Sequence, residues 1–412
     1  MTESITSSQE AIDLEDKYGA HNYHPLPVVL TKGEGVFVWD VEGKRYYDFL
    51  SAYSAVNQGH CHPRIINALI EQAKELTLTS RAFYNDKLGP AEKYICETFG
   101  YQKALFMNSG VEANETAIKL ARKWGYTKKG IAENEAVIVV AKKNFHGRTT
   151  TIISASTDPD SRAGFGPFMP GFEIVNYDDV AALEKALANK NVCGLLIEPI
   201  QGEAGVFVPH DGYLKSAETL CKKNNVLLMM DEIQTGIART GKMLAGDHEN
   251  VRPDLLILGK ALSGGVLPIS CVLADDDIML VIKPGEHGST FGGNPLAAAV
   301  CIEALRVVKE EKLADRAQQL GIIFRERMNA LMTKTSMITL VRGKGLLNAI
   351  VINDTPQSNT AWNLCVNFMK HGLLAKPTHG NIIRLAPPLV ITEEQVHECC
   401  DIIEKCIIDF RK

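Results

Sequence analysis

Short apolar runs alternate with stretches of helical periodicity from about residue 88 to residue 290. The apolar runs are Ala104–Met107, Ala136–Ala141, Gly194–Glu198, Val226–Asp231, Leu255–Leu258 and Ile269–Leu273, and the helical stretches are 88–99, 111–125, 179–188 and 212–224. Strands that are apolar on both faces and alternate with helices predict an α/β fold with a mostly parallel sheet covered on both sides. In such a sheet, ligands bind at the carboxyl ends of the strands.

The sequence on either side of this region predicts two smaller parts. Val36–Asp40 and Gly43–Phe49 flank a turn and predict a hairpin. Later come a helical stretch over 296–333, strand-like segments at 337–342, 346–352 and 382–386, and helices near 357–371 and 392–410. Because 412 residues exceed one ordinary core, we expect a large domain, 54–310, and a smaller α+β domain, 311–412. The N-terminal segment, 1–53, is expected to pack on the smaller domain.

Composition disfavours several classes of protein. A net charge of −5 argues against nucleic acid or an anionic membrane as the main partner, and no apolar run approaches the roughly 18 residues of a membrane span. The first residues lack the features of a signal peptide, and their acids and missing arginine make a poor transit peptide. Ten scattered cysteines without a CxxC motif favour reduced thiols. We expect a cytoplasmic protein, or a mitochondrial one if a transit peptide is missing from this sequence.

Lys260 follows the apolar run Leu255–Leu258 and precedes a Ser-Gly-Gly turn. An ammonium group at the end of a buried strand must reach water, meet an acid or react. One interpretation is a lysine whose side chain extends to the surface. The other is a lysine that forms a Schiff base with an aldehyde cofactor. These residues alone leave both interpretations open.

Three carboxylates also lie at predicted strand ends. Asp231 ends an apolar run, and a buried carboxylate needs a cationic or hydrogen-bond-donating partner. A protonated pyridine nitrogen is one such partner. A metal ion is the competing one, but no set of ligands with suitable spacing accompanies Asp231, and no metal is expected. Glu198 and Glu203 lie five residues apart in a Gly/Pro loop.

Two further segments carry candidate binding residues after strands. In the segment 108–115, Gly110 allows a close backbone approach and the start of a helix offers free N–H groups to a phosphate. An ordinary capping box explains the same residues. Phe145 could stack on a flat ring or belong to the core. Arg148 could bind a carboxylate or form a surface ion pair.

Four ordered blocks resemble the class-III, fold type I, pyridoxal-phosphate aminotransferases. They read Ser-Gly-Val-Glu-Ala-Asn-Glu-Thr-Ala from Ser109, Asp-Glu-Ile-Gln-Thr-Gly-Ile-Ala-Arg-Thr-Gly from Asp231, Gly-Lys-Ala-Leu-Ser-Gly-Gly from Gly259, and His-Gly-Ser-Thr-Phe-Gly-Gly-Asn-Pro from His287. Blocks from Gly19 and Tyr53 are similar to the ornithine-specific, eukaryotic members. The resemblance implies a seven-stranded sheet and transfer of the δ-amino group of L-ornithine to 2-oxoglutarate, giving glutamate 5-semialdehyde and glutamate.

The resemblance also implies how pyridoxal phosphate is held. Lys260 would form the Schiff base and later move a proton, and Asp231 would pair with the ring nitrogen. The other expected cofactor contacts are stacking by Phe145, a hydrogen bond from Gln234 to the ring oxygen, and phosphate binding by the N–H groups of Gly110 and Val111 with Thr290 of the neighbouring subunit. Because the sites are shared in this way, the resemblance implies a homodimer.

Five residues are expected to select the substrates. By resemblance, Arg148 binds the α-carboxylate of ornithine, Tyr23 and Tyr53 contact its α-amino and carboxylate ends, Arg384 binds 2-oxoglutarate, and Glu203 neutralises Arg384 in the first half-reaction.

Other functions stay open to a different degree. Acetylornithine or 4-aminobutyrate aminotransferase is the alternative within the family. A nicotinamide dehydrogenase is disfavoured, because the nearest fingerprint, at 343–348, lacks a third glycine and lies outside the alternating region. The intact Lys260 argues against a non-catalytic binding protein.

Overall fold

The N-terminal part of the chain forms a small sheet. The computed structural model describes residue 5 and residues 7–410, so residues 1–4 and 6 of the predicted N-terminal segment lie outside the described residues. Helix α1 (Ser8–Tyr18) precedes the strands β1 (Leu30–Glu34), β2 (Phe37–Asp40) and β3 (Arg45–Asp48), which pair antiparallel in that order. The predicted hairpin is confirmed as β2 and β3. Helix α1 buries none of its side chains, so apolar periodicity did not reveal it.

A turn and two helices lead from this small sheet to the large one. The turn α2 (Ser51–Ser54) has positive φ at all four residues. It is followed by the helices α3 (Pro63–Glu75) and α4 (Leu88–Phe99), and α4 confirms the helix predicted at 88–99. Helix α4 ends at Gly100, whose φ of 74° is the left-handed conformation that commonly ends helices.

Within the described residues, seven strands form one mixed sheet in the order β4-β10-β9-β8-β7-β5-β6. The strands are β4 (Lys103–Met107), β5 (Val137–Ala141), β6 (Phe172–Val175), β7 (Val192–Ile197), β8 (Leu227–Asp231), β9 (Leu255–Leu258) and β10 (Ser270–Ala274). Only β10 runs antiparallel to its two neighbours, so the predicted mostly parallel, seven-stranded sheet is confirmed. Strand β6 was not predicted, because it is a half-buried edge strand without a continuous apolar run.

Helices cover both faces of this sheet. They are α5 (Gly110–Trp124), α6 (Thr150–Ser154), α7 (Pro159–Arg162), α8 (Val180–Leu187), α9 (Tyr213–Lys223) and α10 (Asp276–Met279). Alternate residues of each strand belong to different cores: Leu196 of β7 packs in a cluster with α5, whereas its neighbour Leu195 packs with α8 and α9. This alternation explains why the parallel strands have no polar face.

The C-terminal part forms a second small sheet with helices, and one of its strands pairs with the N-terminal sheet. It contains α11 (Pro295–Glu310), α12 (Leu313–Met332), β11 (Ile338–Lys344), β12 (Leu347–Ile352), α13 (Thr360–Lys370), β13 (Leu373–Leu374), β14 (Lys376–Thr378), β15 (Ile382–Leu385) and α14 (Glu393–Ile408). The single helical stretch predicted over 296–333 is wrong, because Lys312, with φ of 51°, separates α11 from α12. Strands β11, β12, β15 and β14 form a sheet in that order, and β13 pairs in parallel with β3.

The topology determines where a ligand site can form. The parallel strands β5, β7, β8 and β9 end at one edge of the large sheet, and each is followed by a loop with polar residues. Loops at this edge collect side chains that are far apart in the sequence. Among the described helices, none has the length and apolar character needed to cross a membrane.

Candidate active site

A cavity of about 180 Å³ opens at the carboxyl ends of the parallel strands. Its lining brings together seven residues predicted from the sequence, namely Gly110, Val111, Phe145, Glu203, Asp231, Gln234 and Lys260. Asn114, His146, Gly147, Glu198, Ile200, Ile233 and Thr235 complete the lining. Tyr23, Tyr53, Arg148, Thr290 and Arg384 lie outside it. The cavity therefore joins residues that follow five different strands, β4, β5, β7, β8 and β9.

Lys260 lies two residues beyond β9 and begins a 3₁₀ turn, Lys260–Ser263. Its φ of 44° is in the left-handed region, where a non-glycine residue is strained. The pKa of Lys260 is lowered to about 8, because burial and, to a smaller extent, Arg384 outweigh the opposite effects of Glu203, Asp231 and Glu198. A substantial fraction of the amine is thus unprotonated just above neutral pH, as a nucleophilic lysine requires.

Asp231 ends β8 with its carboxylate held by three donors. Oδ2 accepts hydrogen bonds from His146 Nδ1, at 2.7 Å, and from Asn114 Nδ2, at 2.9 Å, while Oδ1 accepts one from the backbone N–H of Ile233. Asp231 is only 4% exposed. The donors that a buried carboxylate needs are therefore present. Both side-chain donors lie in sequence blocks that drew attention for other reasons, but no local pattern indicated their pairing with Asp231.

Glu198 is a second buried carboxyl group in the cavity. Its Oε2 accepts a hydrogen bond from the backbone N–H of Phe145 at 3.0 Å, which holds the Phe145 loop against the end of β7. Burial raises the pKa of Glu198 well above its usual range, and the nearby Asp231 raises it further. Burial and the nearby Asp231 therefore both favour the protonated, uncharged form of the Glu198 carboxyl group.

Glu203 and Arg384 form an ion pair at the edge of the cavity. Arg384 Nη1 donates to Glu203 Oε2 at 2.9 Å and to the carbonyl oxygen of Gly202 at 3.2 Å. Burial raises the pKa of Glu203, but the attraction of Arg384, with smaller contributions from Lys260 and His379, lowers it below its usual value overall. Arg384 is 3% exposed, and its Nε is buried without a hydrogen-bond partner.

The remaining predicted substrate residues gather around Tyr53. Its ring centre lies 4.9 Å from Arg384 Cζ. Burial raises the pKa of Tyr53, and Glu203 and Tyr23 raise it further. The positive charges of Arg384 and Arg148 act in the opposite direction. Tyr23 is 70% exposed, and Arg148 is exposed with its Cζ 5.5 Å from the centre of the Phe145 ring.

Thr290 stands apart from this cavity, in the exposed loop 287–294. Ser289 of the same loop accepts a hydrogen bond from Asn108 Nδ2 at 2.8 Å, which places the loop next to the start of α5. A second opening, lined among others by Asn108, Gly110 and Lys260, lies on this side. Thr290 is exposed and lines neither of these two openings.

The start of α5 has the backbone geometry of a phosphate cradle. The capping box of Ser109 and Glu112 is present, so the two interpretations of this segment coexist. A side chain at Gly110 would come within 2.9 Å of Ile233, and one at Gly147, whose φ is 127°, within 2.3 Å of Val111. Both glycines thus keep the backbone N–H groups of the first helical turn accessible to an anion.

These groups match the chemical parts of pyridoxal phosphate. A helix N-terminus suits the phosphate, the Asp231 carboxyl group suits the ring nitrogen, and the half-buried Phe145 offers a face for the ring. The buried Oε1 of Gln234 and Oδ1 of Asn114 have no partner within the protein, as expected for polar groups that line a ligand site. The donor set, the glycines and the amine of Lys260 therefore fit this cofactor.

Comparison with known proteins gives a consistent result. The family model for class-III aminotransferases matches residues 18–407. A mitochondrial ornithine aminotransferase of Drosophila melanogaster is 62% identical over 394 residues, covering 96% of this chain and 90% of the fly protein. An acetylornithine aminotransferase structure from Elizabethkingia anophelis has 61% identity and a TM-score of 0.91, covering 98% of this chain and all of the other.

A third relative links the site to its cofactor. An ornithine aminotransferase structure from Toxoplasma gondii, described with partial occupancy of PLP at the active site, is 50% identical with a TM-score of 0.96. The match covers 98% of this chain and 95% of the Toxoplasma chain. Together with the family model, which matches most of the chain, these similarities show that the chain belongs to the class-III aminotransferases.

Proposed function

We propose that this protein uses pyridoxal phosphate to transfer the δ-amino group of L-ornithine to 2-oxoglutarate, producing glutamate 5-semialdehyde and glutamate. The observation that carries the proposal is the Glu203–Arg384 ion pair beside Lys260, because it gives the site a cation that can be neutralised or exposed. The fly and Toxoplasma relatives, named ornithine aminotransferases, support the choice of ornithine.

Cofactor and protein divide the chemistry. Bound pyridoxal phosphate supplies the electron sink that stabilises the developing carbanion. Asp231, held in place by hydrogen bonds from His146 and Asn114, would pair with the ring nitrogen and favour a proton there. Lys260 would hold the cofactor and would then move a proton at its Nζ, for which a pKa of about 8 is well matched to neutral conditions.

Charge at Arg384 decides which amine reacts. While Glu203 occupies Arg384, the α-carboxylate of ornithine has no free cation close to Lys260, so it binds the more distant Arg148 and leaves the δ-amine at the reacting position. In the second half-reaction Glu203 moves aside. Arg384 then binds the α-carboxylate of 2-oxoglutarate through the Nη1 group that Glu203 releases.

Replacement of Glu203 tests this gate. Glu203→Ala should reduce the preference for δ- over α-transfer by roughly tenfold or more, since a hydrogen bond between charged groups contributes about 1.5–3 kcal/mol. Transfer of the δ-amine converts ornithine to an aldehyde, and transfer of the α-amine converts it to a ketone. Chromatography separates these two products. Glu184→Ala, which breaks an exposed ion pair with Lys223, is the matched control and should leave the product ratio unchanged. An unchanged ratio in Glu203→Ala would disprove the gate.

Acetylornithine aminotransferase is the second candidate, favoured by the 61% identity to the Elizabethkingia structure of that name. Tyr53, half-buried beside Arg384, argues for free ornithine, because a charged α-amino group needs polar contacts that an acetylated one does not. Initial rates with ornithine, N-acetylornithine and 4-aminobutyrate decide between them. A higher kcat/KM for N-acetylornithine would replace the ornithine proposal.

We further propose a homodimer in which Thr290 completes the phosphate site of the neighbouring subunit. The proposal is supported by the exposure of Thr290 and of Phe291, 56% exposed, and by the absence of Thr290 from the described lining of the cavity that holds its own Lys260. Mixing Lys260→Ala and Thr290→Ala subunits tests it. A mixed dimer contains one unaltered site, so activity should exceed that of either variant alone. Activity equal to the average of the two variants would contradict the shared site.

The domain division and the compartment are also proposals. The segment 1–53, the large domain 54–310 and the small domain 311–412 are supported by the separate sheets and by the pairing of β3 with β13. A cytoplasmic location is proposed, with mitochondria as the alternative that the name of the fly relative suggests. Fractionation of cells that express the full-length protein, followed by immunodetection, distinguishes the two compartments.

A further inference from the structure

The turn α2 is the most strained segment near the candidate site. Ser51, Ala52, Tyr53 and Ser54 have φ values of 50°, 45°, 61° and 74°, so four consecutive non-glycine residues adopt the left-handed conformation. Residues other than glycine adopt this conformation mostly one at a time. Such a run persists only when surrounding contacts impose it, and strain of this kind concentrates at functional sites.

Asp48 supplies the side-chain hydrogen bonds at the start of the turn, in addition to the backbone bonds from Tyr53 N–H to Leu50 and from Ala55 N–H to Ser51. Its Oδ1 accepts hydrogen bonds from the backbone N–H groups of Leu50, at 2.8 Å, and Ser51, at 2.9 Å. Its Oδ2 lies 2.7 Å from His60 Nε2. The hydroxyl groups of Ser51 and Ser54 are buried without partners, so the turn is not stabilised by its own side chains. Asp48 is 8% exposed, and its interactions are therefore shielded from water.

The turn presents one functional side chain, that of Tyr53. The ring of Tyr53 lies against the guanidinium of Arg384. Backbone bonds fix the segment before the turn to the same strand: the N–H of Ala386, two residues after Arg384, donates to the carbonyl oxygen of Phe49 at 2.8 Å. A relaxed right-handed turn would move the Tyr53 side chain away from this position, because the two hands direct successive Cα–Cβ bonds differently.

We propose that Asp48, supported by His60, is a positioning residue that holds the left-handed turn and thereby sets the orientation of Tyr53 towards ornithine. This inference rests on the proposed ornithine aminotransferase function. Asp48 itself does not touch the substrate. Its effect on catalysis passes through Tyr53, which distinguishes it from a residue that only contributes to stability.

Asp48→Ala removes the two acceptor bonds and is the primary test. The KM for ornithine should rise about tenfold, since small misplacements of a binding group cause large losses. The KM for 2-oxoglutarate should stay within about twofold, because Arg384 and Glu203 are unaltered. Asp48→Asn keeps an acceptor oxygen in the same place and should restore most of the ornithine affinity.

Asp40→Ala is the matched control. Asp40 is 7% exposed and also caps a turn, accepting from the Lys44 N–H and the Tyr46 hydroxyl, but it makes no contact with α2. Asp40→Ala should lower the thermal midpoint as Asp48→Ala does and leave the KM for ornithine unchanged. An equal rise of the ornithine KM in both variants would overturn the proposal.

A double-mutant cycle with Tyr53→Ala decides whether Asp48 acts through Tyr53. In the Tyr53→Ala background, Asp48→Ala should change the ornithine KM by less than about twofold, because coupled residues are not additive. Independent, multiplicative effects would overturn the inference. If Asp48→Ala does not accumulate as folded protein, His60→Ala replaces it in the cycle, with an expected rise of about threefold from the loss of one hydrogen bond.

Failure of this inference is distinguishable from failure of the proposed function. If the unaltered protein does not turn over ornithine, the proposed function and this inference are both overturned. If the unaltered protein turns over ornithine and Asp48→Ala behaves like Asp40→Ala, only the positioning role of Asp48 is overturned.

Discussion

Arg239 is a fully buried arginine whose replacement should loosen the contact between the large sheet and the C-terminal part of the chain. Its side chain is 0% exposed and donates hydrogen bonds to three oxygen atoms from segments that are distant in the sequence. Nη1 donates to the carbonyl oxygens of Leu346, at 3.0 Å, and Pro387, at 2.6 Å, while Nε and Nη2 donate to Asn57 Oδ1. None of these acceptors is a carboxylate. Burial lowers the pKa of Arg239 to about 9, so it is still charged at neutral pH.

The expected cost of Arg239→Met follows from these bonds. Each net hydrogen bond from a charged group contributes about 1.5–3 kcal/mol, and an unpaired buried acceptor costs about 1–3 kcal/mol. Removing the charge also removes its desolvation penalty, which offsets several kcal/mol. We therefore expect Arg239→Met to lower the free energy of unfolding by about 3 kcal/mol, similar to the loss of one partner from a buried polar network.

Urea unfolding of the apoprotein, followed by tryptophan fluorescence, measures this change. Arg239→Lys keeps a charge and three donors on a shorter group, so its unfolding midpoint should lie between those of the unaltered protein and Arg239→Met. Hydrogen exchange should show the loss first in the segments around Leu346 and Pro387. An Arg239→Met midpoint equal to that of the unaltered protein would refute the reasoning, because the three acceptors would then have found other partners.

Three further predictions concern the site and its surroundings. The rate at which the apoprotein takes up pyridoxal phosphate, measured by stopped-flow absorbance, should increase as pH rises through about 8. Glu203→Gln should shift the midpoint of this increase to lower pH, because the Glu203 carboxylate raises the pKa of Lys260. A midpoint at the ordinary lysine pKa would contradict the burial of Lys260. Because burial raises the pKa of Glu198, the folded protein retains a proton that the unfolded chain releases. Thermal stability should therefore fall as pH rises above the ordinary glutamate pKa, and it should fall less steeply in Glu198→Gln. Identical slopes of thermal midpoint against pH in the two proteins would show that Glu198 is ionised. Ala52→Gly should leave the free energy of unfolding unchanged or raise it by up to about 1 kcal/mol, since glycine adopts positive φ at less cost than alanine. The control Ala330→Gly, at an exposed position of α12, should lower it by about 1 kcal/mol. Equal losses of stability in urea unfolding would indicate that α2 is not strained.

The strands of the large sheet and the residues at their ends could be predicted from the sequence. A run such as Leu255–Leu258 has no polar residue, and only a strand buried on both faces accommodates it. Lys260 and Asp231 follow such runs directly, so their place at the carboxyl edge follows from the strand assignment. The edge strand Phe172–Val175 escaped prediction, because partial burial leaves a weaker pattern.

Contacts between distant segments could not be predicted in the same way. Glu203 and Arg384 lie 181 residues apart, and resemblance to a family, rather than any periodicity, suggested that they meet. His146 and Asp231 are 85 residues apart, and their hydrogen bond was not anticipated. Periodicity reports whether a side chain is buried, but it does not identify the partner it is buried against.

The sequence by itself determined the alternating strands and helices, the positions of Lys260 and Asp231 at strand ends, and the glycine at the start of α5. These features depend on residues close together in the chain, whose burial and backbone freedom are local properties. The tertiary structure alone decided the insertion of the antiparallel strand β10, the pairing of β3 with β13, the donors around Asp231 and the left-handed turn at Tyr53. Each of these depends on a contact between segments that the fold brings together. The energy that stabilises them is gained only after that contact forms, so no local pattern can reveal them.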